Sequence, residues 1–408
     1  MDILITSSYY WPELTGNAPY VTGMAEYFAE RHRVVVATAY PHYPQWEPQM
    51  KRRPRHVEHQ NGVEIQRRFH YVPRSQSAAK RAVYEATMFA GGLTALRPGW
   101  RPDVILGVMP SLASSTHARV AARLHKRPYG LVFHDLMGEG ARQSGVSGGG
   151  RVADIVTKAE IGLARGAKRI AVYADGMRRY FEDGGVPADK IDRVRPWTLN
   201  WNPTVDREEM RRRLGWNGEF ICVHAGNMGH KQGLDNVLDA AAKAKDPDVR
   251  FVLAGDGNER ARLQARAREM GLRNLLFIEP MPWGEYESML MAADVLVVNQ
   301  RPTVGEMSFP SKLTSYFPAG RPVVAAVAGD ADTAAEVRRS EAGVVVDPSR
   351  PEDLAATIED IKGSPDRGEA LGAAGRHYAE SVLSREAILR EYDQFIARLA
   401  PGAGHGSG

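Results

Sequence analysis

Short apolar runs rich in Val, Ile and Leu alternate along this chain with longer stretches of helical periodicity. In the first half the runs fall at 3–7, 34–39, 63–71, 104–108, 129–133, 169–173 and 192–197. In the second half they fall at 220–225, 250–254, 275–278, 295–298, 322–327 and 343–346. Runs without polar alternation, such as Val295-Leu296-Val297-Val298, suit strands covered on both faces, as in parallel sheets. Strands and helices taking turns in this way predict an α/β doubly wound fold. The rhythm breaks at 196–203, where two prolines bracket a stretch with no clean periodicity. We therefore expect a hinge there, between one Rossmann-like domain over 1–200 and a second over 201–384. A helix at 385–399 is expected to pack back toward the first domain, and 400–408 reads as a disordered tail. The glycine-rich stretch 145–150 reads as a flexible loop near a site.

Length supports the division, because 408 residues exceed what one core usually holds. No segment approaches the ~20 continuous apolar residues of a membrane span. Met1-Asp2 runs straight into an apolar strand, so no signal peptide is expected. The single cysteine, Cys222, sits in an apolar run and is expected to be a buried, inert thiol. The expected compartment is the cytoplasm.

Net charge is a modest +4, but the basic residues are uneven. Lys51, Arg52, Arg53, Arg55, Arg67, Arg68, Arg74, Lys80 and Arg81 are opposed only by Glu58 and Glu64. Two readings stand: a solvated basic face, or attraction to an anionic membrane surface or phosphorylated acceptor. No recognition motif accompanies the charge, so nucleic acid is not expected as a partner.

In open α/β sheets, ligands sit beyond the carboxyl ends of strands. The loop after the first strand, residues 9–20, carries Tyr9, Trp11, Gly16 and Asn17 ahead of a helix. Its glycine can offer backbone N–H groups to a phosphate, although a plain turn and helix cap reads equally well. His134-Asp135 closes the run 129–133; His134 is expected to contact substrate, and Asp135 either does so or caps the next segment. The richest loop is Gly226-Asn227-Met228-Gly229-His230-Lys231-Gln232-Gly233. Its glycines allow close approach, Lys231 adds a point charge, and a helix start near Leu234 adds a positive dipole end. That combination suits a diphosphate leaving group, whose developing charge a catalyst must stabilise. Gly255-Asp256-Gly257 lacks the third glycine of a dinucleotide fingerprint, because Arg260 holds that place, which disfavours a dehydrogenase. Met281 lies in the loop after 275–278. The segment 301–313 offers Glu306 to sugar hydroxyls, and backbone N–H groups of Met307, Ser308 and Phe309, with Lys312 beyond. No His/Cys/Asp cluster has metal-ligand spacing, so no metal is expected.

These segments together resemble the retaining glycosyltransferases of family 4, in the branch of colanic-acid-type fucosyltransferases. The resemblance rests on YYWPELTGNAPY near the start, PHYPQWEP at 41–48, AGNMGHKQGLDNVLDAA at 225–241, FVLAGDGNE, and FPSKLTSYFPAGRPVVA at 309–325. It implies a GT-B fold: two facing Rossmann-like domains with parallel sheets and a deep interdomain cleft. The first would bind the acceptor and the second the nucleotide sugar. The implied reaction replaces a nucleoside diphosphate with an acceptor hydroxyl, retaining anomeric configuration, without metal or cofactor beyond the nucleotide-sugar co-substrate. The resemblance assigns catalytic roles to His134, Lys231 and Glu306. Donor contacts would come from Gly16, Asn17, Gly226, Asn227, Lys231, Gly255, Met281, Glu306, Met307, Ser308, Phe309 and Lys312. Tyr9, Trp11 and Asp135 would meet the acceptor, which could be a sugar, a lipid-linked molecule or a small natural product. The basic stretch and the helical segment 78–96 fit peripheral attachment at the inner membrane face. Relatives often have arginine where Asn227 stands and two glutamates where Met307 and Ser315 stand; the second of these normally holds the donor ribose, so ribose contact here must be weaker or come from elsewhere. A nucleotide-sugar 2-epimerase and a noncatalytic nucleotide-sugar-binding scaffold are the competing readings.

Overall fold

Among the residues it describes, a computed structural model holds fourteen strands in two sheets. It describes residues 1–14, 16–43, 45–74, 77–93, 100–138, 149–199, 201–302 and 311–400, without the side chains of residues 78, 149 and 151. The first sheet contains β1 (Asp2–Ser7), β2 (Arg33–Thr38), β3 (Arg55–Gln60), β4 (Val63–Arg68), β5 (Val104–Met109), β6 (Tyr129–Phe133), β7 (Arg169–Val172) and β8 (Ile191–Arg193). Its order is β3-β4-β2-β1-β5-β6-β7-β8. The second contains β9 (Phe220–Ala225), β10 (Val249–Ala254), β11 (Leu275–Ile278), β12 (Val295–Asn299), β13 (Val323–Ala326) and β14 (Gly343–Val346), ordered β11-β10-β9-β12-β13-β14. The continuous apolar runs are the central strands: β5 is buried at every position, as is β12. Helices on both faces cover them, which leaves no solvent-facing side to demand polar alternation.

Both sheets are parallel as expected, and among the described residues one pairing departs from this, the antiparallel β3–β4 hairpin at one edge of the first sheet. It turns at Asn61 and Gly62, both at positive φ (47° and 80°), the conformation a tight two-residue hairpin requires. The strand reading for 63–71 stops at Arg68, and that for 192–197 shrinks to Ile191–Arg193.

The chain divides into two compact units, residues 1–195 with 388–408, and residues 196–387. The helix Arg385–Leu399 therefore crosses the boundary, and from Ile388 onward it belongs with the first sheet. Tyr27 donates to Asp393 (2.6 Å), Arg195 pairs with Glu391 (3.0 Å), and the Lys168 ammonium donates to the Leu399 carbonyl (3.0 Å). Gly130 in β6 leaves room for this helix, since a Cβ there would lie 2.5 Å from Leu399. Residues 401–408 of the expected tail, and 145–148 of the glycine stretch, lie outside the described residues; Gly149 and Gly150 begin the helix Gly149–Gly166. The expected helix at 78–96 is described as Ala78–Leu93.

Of the basic stretch, Lys51, Arg53, Arg55, Arg74 and Lys80 are exposed, but Arg67, Arg68 and Arg81 are not part of a solvated face. Arg67 is 1% exposed, pairs with Glu58 at 2.6 Å, and donates to the carbonyls of Ala39 and Trp11. Arg68 is buried as well, and Arg81 lies over the rings of Trp46 (4.8 Å) and Tyr84 (5.0 Å). These guanidiniums hold loops together, as Arg does where its planar fork meets several acceptors. Cys222 is buried and free. Among the described residues no helix is long and apolar enough to cross a membrane.

Candidate functional site

The strand order reverses direction between β9 and β12 in the second sheet, and the loops beyond those carboxyl ends carry the glycine-rich segment. Gly226 takes φ 120° directly after β9, and its N–H donates to the Ala254 carbonyl (2.8 Å). Gly255 takes φ 124° after β10, where a Cβ would stand 2.2 Å from the Gly226 carbonyl oxygen. A Cβ on Gly257 would stand 2.5 Å from the Met228 oxygen. The glycines of 255–257 thus let two strand-end turns lie backbone to backbone, which explains them without a dinucleotide.

Beyond that contact, the chain makes a short turn, His230–Gln232, before the helix Asp235–Lys243. Residues at the end of β12 hold it. Asn299 donates to the carbonyls of Gln232 (2.7 Å) and Gly233 (3.0 Å), the Arg301 N–H to Lys231 O (3.0 Å), and Arg301 Nε to His230 O (2.8 Å). The Lys231 backbone is therefore fixed while its side chain is exposed. Asn227 is exposed too, and its amide would lie 2.8 Å from a Cβ on Gly229.

Lys312 reaches the same turn from the other side. Its ammonium lies 3.5 Å from where a Cβ on Gly226 would be, and among the described residues it has no hydrogen bond or ion pair. Burial lowers its pKa to about 8. His224 beneath it stays neutral, its pKa lowered to about 3 by burial and then by Lys312. Tyr316, one turn on, accepts from the Ala225 N–H (2.8 Å) and so anchors this segment to β9. Ser315 donates to the Lys312 carbonyl (3.0 Å) and lies 3.3 Å from the Tyr286 hydroxyl, and Tyr286 stacks on Trp283 at 5.5 Å. Met281 is half-buried in the turn before the helix Trp283–Ala292. Glu306, Met307, Ser308 and Phe309 lie outside the described residues.

In the first unit, Gly16 takes φ 64° and is exposed, and Asn17 starts the helix Ala18–Ala29. The Asn17 side chain does not cap that helix. It donates to the Met109 carbonyl at the end of β5 (3.2 Å), and its own Oδ1 is buried without a partner among the described residues. Glu13 organises this loop: its carboxylate accepts from the N–H groups of His42 and Tyr43, both at 2.8 Å. Tyr9 is buried, packed on His42 (5.6 Å) and Tyr43 (5.2 Å). Trp11 is half-buried, with its carbonyl on Arg67 and its N–H on Thr22 (3.0 Å).

His134 follows β6 and is buried beside Tyr173, whose hydroxyl is 3.0 Å from Nδ1 and 3.1 Å from Nε2. Burial lowers its pKa to about 3, so it is a neutral imidazole. Asp135 is exposed and accepts from the Leu136 N–H (2.9 Å). Glu160 then holds the loop, accepting from Met137 N–H (2.6 Å) and Gly138 N–H (2.9 Å); burial raises its pKa to about 7. Sequence reading passed over Glu13, Glu160, Arg301 and Tyr316. Each lies far along the chain from the loop it fixes, so although Glu13, Arg301 and Tyr316 fall within segments singled out above, nothing local marks their partners.

Against known proteins, residues 15–197 match the model "Glycosyl transferase 4-like domain" and residues 206–378 match "Glycosyl transferases group 1". The chain is a family 4 glycosyltransferase of GT-B fold. It is 29% identical to the putative colanic acid biosynthesis glycosyl transferase WcaI of Escherichia coli K12, over 96% of this chain and 98% of that one. It is 33% identical to the D-inositol 3-phosphate glycosyltransferase of Thermomonospora curvata over 54% of each. Among solved structures it resembles HepE of Anabaena in complex with UDP, with TM-score 0.71, 17% identity, and coverage of 98% of this glycosyltransferase and 100% of that chain. It also resembles sucrose-phosphate synthase from Thermosynechococcus elongatus, with TM-score 0.74, 19% identity, and coverage of 97% and 98%. At these identities the structural likeness speaks for the fold.

Proposed function

We propose that this glycosyltransferase moves a sugar from a nucleoside-diphosphate donor to an acceptor hydroxyl with retention of configuration, in the biosynthesis of a cell-surface polysaccharide. The observation that carries the reading is the ammonium of Lys312, unpaired among the described residues, against Gly226 at the strand-order reversal of the second sheet. A glycine turn with a cation beside it and exposed Lys231 beyond it suits a pyrophosphate. The polysaccharide assignment leans on the similarity to WcaI, and the donor class on the UDP named for HepE. Lys231, Lys312 and the main-chain amides of the turn would stabilise charge on the departing diphosphate. The leaving oxygen takes the acceptor proton on the same face, so no enzymic nucleophile is needed. Neutral His134 would contact the sugar, and Asp135, Tyr9 and Trp11 the acceptor. Among the described residues no group of three or more His, Cys, Asp or Glu is placed to hold a metal ion. Turnover is expected to survive a chelator.

A thermal-shift screen with nucleoside diphosphates tests the donor, since a ligand bound to the folded state raises its melting temperature. His134→Ala and Lys231→Ala are each expected to lower turnover at least ~10²-fold, by analogy with losing one aimed donor. Near-normal turnover in both would remove these assignments.

A further inference from the structure

The second unit has another basic feature at the opposite, amino end of its sheet. A cavity of about 660 Å³ opens where Phe220 starts β9, Asp294 precedes β12 and Pro322 precedes β13. It cannot belong to the turns around Gly226 and Gly255, which leave the carboxyl ends of the same strands.

Arg321 and Arg376 face this cavity with Arg207. Arg207 and Arg211 both bind Asp294 and the carbonyls before β12, so that carboxylate already serves two guanidiniums. Arg321 donates only Nε, to the Met291 carbonyl (3.0 Å); its terminal nitrogens have no acceptor among the described residues. The charged groups acting on it are Arg207, Arg376 and Arg211 against Asp294 alone, and burial followed by these cations lowers its pKa to about 10. Arg376 makes one bond, to the Ala319 carbonyl (3.3 Å), and no ion pair among the described residues.

The backbone is shaped to bring these groups together. Gly320 takes φ 64°, and a Cβ there would stand 2.6 Å from the Arg376 guanidinium. Gly372 lets the helix Pro365–Ser381 approach until a Cβ would stand 2.3 Å from the Gly320 oxygen. Arg376 is thus packed against the turn that carries Arg321, and both side chains line the cavity. Planar guanidinium forks match phosphate oxygens in geometry and charge.

We propose that this cavity is a second, anion-binding site that takes a phosphate monoester, gripped by Arg321 and Arg376 with Arg207 behind them. The space exceeds a bare phosphate. The exposed side chains of Glu369, His377 and Glu380 on its wall would meet hydroxyls of the esterified group. The phosphate could come from a soluble metabolite or a lipid headgroup.

Titration of the full chain with inorganic phosphate, followed by calorimetry, tests the site. Lys312→Ala separates it from the carboxyl-end turns. Phosphate binding that persists in Lys312→Ala but weakens at least about tenfold in Arg321→Gln and in Arg376→Gln supports the proposal. Arg376 is exposed, so its variant keeps the test open if Arg321→Gln does not fold. No binding by the parent chain, binding lost only in Lys312→Ala, or affinity equal to the parent's in both arginine variants would overturn it. Vesicles containing phosphatidic acid then separate the sources: co-sedimentation abolished by Arg376→Gln assigns a headgroup, and binding of inorganic phosphate without co-sedimentation assigns a soluble ester.

Discussion

Lys312 and Lys231 show how one sequence spends two similar side chains. Lys231 projects from a clamped backbone, whereas Lys312 is drawn against Gly226, and burial brings its pKa to about 8. Nucleoside-diphosphate affinity should therefore fall as pH rises through about 8, where the ammonium loses its proton, and proton uptake should accompany binding at that pH. Lys312→Arg should shift the fall to higher pH; an unchanged profile would remove Lys312 from the phosphate site. Glu13 is a second case. Its carboxylate serves two backbone N–H groups of another loop, so Glu13→Ala strands buried donors at about 1–3 kcal/mol each. A melting temperature within a degree of the parent would show that water replaces it. The sequence announced Lys231, because a glycine-flanked cation before a helix has local grammar. It did not announce Glu13 or Arg67, because a carboxylate thirty residues from its partners looks like any surface charge until the fold brings them together.

At the scale of elements, the contact between the turns after β9 and β10 is the least tolerant feature. Gly255→Ala would place a methyl 2.2 Å from the Gly226 oxygen at φ 124°. We expect a loss of about 1–3 kcal/mol or more from overpacking, with donor binding lost further than stability alone explains. Wild-type donor affinity in Gly255→Ala would show that the turns can part. Thirteen of the strands were legible as apolar runs, because strands covered on both faces need only β-branched and aliphatic residues. β3 was not: Arg55-His56-Val57-Glu58-His59-Gln60 is an edge strand and carries polar groups accordingly. Its signal was Asn61-Gly62, a dipeptide that favours the tight hairpin turn. The Asn-Gly pair outranks the hydrophobic pattern at such an edge.

Across the whole molecule, burial of imidazoles sets the acid limit. His42 and His117 are lowered to about 4, and His70, His134 and His224 to about 3, each chiefly by burial. Their folded values lie below the ordinary 6.5, so the stability they confer is present above pH 6.5 and is lost as pH falls toward 3–4. Glu160 works in the opposite direction. Raised to about 7, it favours the folded chain below 4.5 and loses that contribution as pH rises through 7. At pH 5.5 each of these five imidazoles takes up nearly one proton on unfolding and Glu160 releases about one, so the six groups together give a net uptake of roughly three to four protons. Calorimetry in two buffers of different ionisation enthalpy measures this; uptake near zero would mean the rings are already in water.

The helix Arg385–Leu399 carries Leu389, Tyr392, Phe395 and Leu399 into the first unit, after residues 196–387 have intervened. On a ribosome those side chains emerge only after all of residues 196–387. The opening part of the polypeptide is made first yet stays short of its own apolar filling until the residues from Ile388 onward have followed. A nascent chain stalled before Ile388 should therefore show protease resistance in its younger portion and cleavage in its older one.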